Sequence, residues 1–229
     1  MSTQFERELV RELVRRVTYE ELTNENLEEI KKIVEELEKS DYKQAIKNEI
    51  LKCLGVDTSK YRVTASISTI VNSLIYLRLI GVGDVEKVVK KSPAVLALKK
   101  DRMQRNVEYL QSVGVKKVGE VVEKSPHVLI YSVERLQENV EYLKSKGVKK
   151  VGEVVERFPQ VLVLKIDRLR RSVEYLTEEI GLSINSIEKK YPFLLGLSLE
   201  KRIKPRWEKI RDLPNLSEGK IVRLLCVSE

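Results

Sequence analysis

His127 is the only imidazole in the 229 residues, and Cys53 and Cys226 are the only thiols. That inventory excludes most site chemistry. A structural zinc site takes about four Cys or His ligands. A nucleophile activated by a histidine would have to use His127, whose equivalents in a repeat are Ala94, Gln160 and Phe193. A variable slot of that kind reads as surface, and the two cysteines read as unpaired thiols of a reducing compartment. Neither an enzyme nor a cofactor is expected.

Cationic chemistry is plentiful. Lys and Arg total 43 against 35 Asp and Glu, a formal charge of +8. Residues 1–60 carry 11 basic and 14 acidic side chains, a net of −3, so residues 61–229 carry 32 and 21, a net of +11. The basic part suits an anionic partner, nucleic acid first among them, with a solvated Lys/Glu surface as the plain alternative. Within it Arg102, Asn106 and Tyr109 stand at i, i+4 and i+7, as do Arg135, Asn139, Tyr142 and Arg168, Ser172, Tyr175. On a helix this stripe lies about 100° from the apolar one. Its arginines can grip phosphates or pair with Asp101, Glu134 and Asp167, while its tyrosines pack on the neighbouring repeat. Lys99, Arg105, Lys165, Arg171, Arg202, Lys204 and Arg206 add charge around the same helix starts. Lys116-Lys117, Lys149-Lys150 and Lys189-Lys190 read as a solvated face.

A repeat spaces these residues. Residues 106–131 and 139–164 match at 19 of 26 positions, and Pro93, Pro126, Pro159 and Pro192 stand 33 apart. A fixed period of this length is the mark of a stacked-repeat fold. In one unit Leu136, Val140 and Leu143 form a helical face. Gly147 suits the left-handed position that ends that helix. Val151, Val154, Val155 and Phe158 follow on a second helix, and Pro159 stops it and starts a short turn holding Val161, Leu162 and Leu164. The unit is therefore two helices and a short helical turn. Ile80-Gly81-Val82-Gly83-Asp84 weakly resembles a helix-hairpin-helix turn. In the last unit Pro205 stands where earlier units have Asn106, Asn139 and Ser172.

Residues 1–60 read as an amphipathic helical cap. Phe5, Leu9, Leu13 and Val17 line one helix, and Thr23-Asn24 caps a second carrying Leu27, Ile30, Val34 and Leu37. Asp41 is expected to cap a third, ended by Gly55. The division is 1–60 cap, 61–212 repeats and 213–229 tail, in which Leu213-Pro214-Asn215 breaks the chain before Ile221 to Val227. Lys and Glu richness matches a heat-loving source.

The proline followed by Val-Leu or Leu-Leu, the Tyr-Leu helix end, the Gly-hydrophobic turn and Arg202-Ile203-Lys204-Pro205-Arg206 together resemble the mitochondrial transcription termination factor (mTERF) family over residues 66–210. The resemblance implies an all-α solenoid with a curved left-handed superhelix and a basic concave face. It implies binding of duplex DNA, or of structured or ribosomal RNA, in transcription termination, regulation or ribosome assembly. A protein-interaction scaffold is the competing class. A monomer is expected, with no membrane partner and the N-terminal region open to a protein partner. The expected place is the nucleoid of a prokaryotic cytoplasm, or the mitochondrial matrix.

Overall fold

The computed structural model describes residues 3–61, 63–214 and 216–226. Asn215 and Val227, parts of the expected break and tail, lie outside them. Fourteen α-helices and no strand are present among the described residues: α1 Gln4–Tyr19, α2 Asn24–Lys39, α3 Lys43–Cys53, α4 Ile67–Leu79, α5 Val85–Lys91, α6 Lys100–Ser112, α7 Val118–Lys124, α8 His127–Ile130, α9 Val133–Ser145, α10 Val151–Arg157, α11 Ile166–Glu174, α12 Ile184–Lys189, α13 Lys204–Ile210 and α14 Glu218–Cys226. They form two compact units, residues 1–110 with 117–132, and residues 111–116 with 133–229.

In the first unit α1 packs on α2, α3 and α4. Its buried side is Val10, Leu13, Val14 and Val17, whereas Phe5 is 60% exposed. The apolar stripe starts one turn later than the sequence suggested. Thr23 caps α2 by accepting from the Asn26 amide at 3.1 Å. The cap position of α3 is Tyr42 rather than Asp41, and no side chain bonds there. Arg78 of α4 donates to the carbonyls of Thr18 and Glu20, which a helix C-terminus otherwise leaves unpaired. Tyr19 hydrogen-bonds the Glu86 carboxylate.

The repeat is a first helix (α4, α6, α9, α11), a glycine turn, a second helix (α5, α7, α10, α12) and a short turn opened by proline. Gly81, Gly114 and Gly147 have φ of +85°, +93° and +92°, the left-handed conformation that ends a helix without a Cβ penalty. A second pair of glycines serves contact rather than conformation. A Cβ on Gly119 would fall 2.1 Å from the Gly81 carbonyl oxygen, and one on Gly152 would fall 2.3 Å from the Gly114 carbonyl carbon. Each second helix therefore rests directly on the backbone of the preceding glycine turn.

Glutamates repeat the same logic with charge. Glu123 Oε1 accepts from the amides of Gly83 at 2.6 Å and Asp84 at 3.2 Å. Glu156 accepts from Lys116 N at 2.6 Å, Glu188 from Lys150 N at 2.6 Å, and Glu218 from Ser183 N at 3.1 Å. Glu123, Glu188 and Glu218 thus satisfy the turns ahead of α5, α10 and α12. The turn that weakly resembled a helix-hairpin-helix thus gives its Gly83 and Asp84 amides to Glu123.

Two wide helical turns absorb insertions. Gly181 follows Gly147 by 34 residues rather than 33. The extra residue sits in the π-helical turn Tyr175–Glu179, where the Ile180 amide reaches back to the Tyr175 carbonyl. Leu199–Ile203 is a second such turn. Pro205 follows it, lacking an amide to return to the preceding turn. The buried series Ile70, Met103, Leu136 and Leu169 consequently continues at Ile203, 34 residues on. Arg206, not Pro205, occupies the slot of Asn139 and Ser172, and Arg202 that of Arg168.

Replacing Gly119 or Gly152 by Ala is expected to cost about 1–3 kcal/mol of stability through overpacking. For a chain of this size the melting midpoint then falls by roughly 2–4 °C per kcal/mol. A midpoint in thermal circular dichroism that matches the unmodified protein would show that the helix does not rest on the turn.

Candidate nucleic-acid interface

The polar stripe on the first helices divides into two functions. Its Asn positions are buried, Asn106 at 2% exposure and Asn139 at 1%. Asn106 Nδ2 donates to the carbonyls of Val128 at 2.6 Å and Tyr131 at 2.8 Å. Asn139 Nδ2 donates to those of Val161, Leu162 and Leu164 at 2.9, 3.1 and 3.0 Å. Ser73, in the same slot, reaches Leu98 O at 2.9 Å. The acceptors Leu98, Tyr131 and Leu164 are the extended residues that end each short turn, and their carbonyls have no helical partner. The asparagines, to which the sequence alone assigns no role of their own, therefore belong to the framework. Ser172 is fully buried in this slot, and its Oγ has no hydrogen-bond partner.

The arginines share the task from outside. Arg102 donates to Ile130 O, Arg135 to Leu164 O at 3.4 Å and Arg168 to Gly196 O at 2.6 Å. Arg102 and Arg168 remain exposed, and Arg135 is half-buried. A guanidinium has five donors in a fixed fork, so one bond to a carbonyl orients the group and leaves other donors available. Arg202 and Arg206 do the same for the last helix, donating at 2.8 Å each to Cys226 O and Leu225 O at the end of α14. Both are half-buried.

The other cations of the stripe's edge are freer. Lys99, Arg105 and Lys165 are exposed, and their side chains make no hydrogen bond or ion pair among the described residues. Arg171 is exposed and makes only a 3.3 Å contact to the Asp167 carbonyl on its own helix. Lys204 pairs with Glu200 at 2.7 Å and lies 5.6 Å over the Tyr175 ring. In the first unit, Lys99, Arg102 and Arg105 gather at the start of α6. In the second, Lys165, Arg168 and Arg171 gather at the start of α11.

Tyrosine packs, as the plainer reading held. The Tyr142 hydroxyl donates to Arg170 O at 3.4 Å, and its ring lies 5.6 Å from the Arg170 guanidinium and 5.7 Å from Lys146 Nζ. Burial, with the nearby Glu174 carboxylate, pushes its phenol up to about 12. Farther along the first helices the surface is acidic, with Glu108 and Glu141 exposed and Glu174 half-buried at equal spacing. The acidic series was not singled out from the sequence, although its 33-residue spacing is visible there.

His127 is exposed, with its ring 6.5 Å from that of Tyr131. Cys53 and Cys226 are half-buried free thiols, and burial raises both above the usual thiol range. No described helix is long and apolar enough to cross a membrane.

These features define an all-α helical-repeat protein with cations presented at repeated helix starts. The mTERF family model matches residues 2–226, and the chain belongs to that family of nucleic-acid-binding helical-repeat proteins. The match takes in the N-terminal helices that the sequence resemblance had left out. No curated protein matches the chain.

Asn139→Ala is expected to cost about 2–4 kcal/mol, because the buried carbonyls of Val161 and Leu162 lose their donor and Leu164 O keeps only Arg135. Its melting midpoint should drop by roughly 5–15 °C, while duplex affinity at a temperature where it is folded stays unchanged. Lost affinity in a folded variant would place Asn139 on the contact surface instead. The Tyr142 phenol is held above its unfolded value, so the stability it contributes is complete below about pH 10 and disappears as pH rises towards 12. Denaturant midpoints of the unmodified protein and Tyr142→Phe across that window should show a steeper decline with tyrosine. Parallel declines would contradict the shift.

Proposed function

We propose that the repeats bind duplex DNA by its phosphate backbone, in an mTERF-like role in transcription termination or regulation. The contact residues are Lys99, Arg102, Arg105, Arg135, Lys165, Arg168, Arg171, Arg202, Lys204 and Arg206. The observation that carries this reading is that Lys99, Arg105 and Lys165 lie exposed and unpartnered beside arginines already oriented by carbonyls. A cation with no protein partner loses little on meeting a phosphate, and backbone contact of this kind positions a duplex without reading its bases. The arginines tied to carbonyls hold the fold as well, so their alanine variants would confound binding with stability.

The informative variant neutralises the freer set together: Lys99→Gln, Arg105→Gln, Lys165→Gln and Arg171→Gln. Binding to duplex DNA, duplex RNA and single strands is titrated against salt. Each lost phosphate contact is expected to reduce the log–log slope on duplex DNA by roughly 0.9, up to about 3–4 in all, with the melting midpoint nearly unmoved. An unchanged slope would sink the reading. Tighter binding to duplex RNA than to duplex DNA would replace DNA by RNA as the partner.

A further inference from the structure

The second helices carry a cationic edge of their own. In the second unit α10 packs on α12. Lys116, Lys149, Lys189 and Lys190, at the turns and ends of the second-helix layer, are exposed. Their side chains make no hydrogen bond or ion pair among the described residues. The sequence alone reads such pairs as a solvated face, since acids stand close by. The structure shows where those acids go. Glu156 and Glu188 turn inward to accept backbone amides at 2.6 Å each, Glu188 being only 4% exposed, and Glu218 is held by Ser183 and Ser186. Glu153 stays outward, paired with Lys150 at 2.8 Å and Arg157 at 3.5 Å, and Lys116 acts on it only at longer range.

Glu156, Glu188 and Glu218 are thus engaged in joining one repeat to the next, and the four lysines are left with no ion pair, Lys116 and Lys190 meeting Glu153 and Glu218 only at longer range. The first-helix layer of the same unit differs, because α9 keeps Glu134, Glu138 and Glu141 on its exposed side. Since α9 also packs on α10 with the core between them, the two layers turn their outer sides in opposite directions. Packed helices recur at roughly 8–10 Å, a step that flexible lysine stems can match to the phosphates of a continuous backbone.

We propose that this edge, Lys116, Lys149, Lys189 and Lys190, is a second phosphodiester-binding surface, so that one chain holds two segments of duplex at once. The bridging rests on the first-helix reading above; the edge itself does not. The test uses the full chain and two short mixed-sequence DNA duplexes, one carrying a donor dye and the other an acceptor. The edge variant combines Lys116→Gln, Lys149→Gln, Lys189→Gln and Lys190→Gln. A control removes the same charge from the N-terminal helices with Lys31→Gln, Lys32→Gln, Lys39→Gln and Lys52→Gln.

The unmodified protein and the control are expected to bring the duplexes together, giving energy transfer. The edge variant should bind single duplexes yet lose at least tenfold in transfer. Should the first-helix contacts prove wrong, transfer is absent throughout, but the edge variant still loses at least tenfold in affinity while the control and the first-helix variant do not. An edge variant that matches the control in both transfer and affinity overturns the proposal.

Discussion

The constraint on which the molecule depends is the carbonyl that ends each short turn. Leu98, Tyr131, Leu164 and Leu197 are all extended, each at the point where the chain leaves one repeat for the next. An extended residue between two helices offers a carbonyl that neither helix can satisfy, and a buried carbonyl without a donor costs about as much as a lost hydrogen bond. Ser73, Asn106 and Asn139 supply the donor to the first three from the preceding first helix, whereas at the fourth the buried Ser172 hydroxyl has no partner and Arg168 reaches the adjacent Gly196 carbonyl. The repeat therefore closes only when its neighbour is in place, which couples stacking to folding. Arg206 provides the donor at the far end, where the acceptor is the last turn of α14.

The same demand shapes the surface. Arginines that look available for phosphate are partly engaged in this carbonyl pairing, and the engagement fixes where their remaining donors point. Glutamates that look like surface charge are withdrawn into amide caps. Folding thus sorts a mixed Lys/Glu/Arg composition into restrained arginines, inward acids and leftover lysines. The net +11 of residues 61–229 understates how positive the outward positions at the turns and helix starts are, because several acids in that count face inward.

Much of the fold was legible. The 33-residue spacing of prolines, the positive-φ glycines and the apolar faces are local properties, and they gave the helix–helix–turn unit correctly. What escaped notice depends on contacts between repeats. Gly119 and Gly152 look like weak helix residues until a second backbone is placed against them. Asn106 and Asn139 sit on the same stripe as arginines that reach the surface, and nothing in the sequence separates a buried amide from a wet one at about 40° of helix rotation. The Pro205 register was misread because a π-helical turn hides one residue inside a helix that otherwise keeps its period. Phe5 and Asp41 were misread for a smaller reason, since helix ends obey tertiary packing more than propensity.

The central claim is that repeat stacking uses up the acids and leaves particular cations for phosphate. Lysine acetylation footprinting, read residue by residue by mass spectrometry with and without saturating duplex DNA, tests it most directly. Protection is expected at Lys99 and Lys165, with Lys31, Lys32 and Lys39 on the N-terminal helices as reactive as in the free protein. Protection spread evenly over all lysines, or confined to the N-terminal helices, would contradict the account.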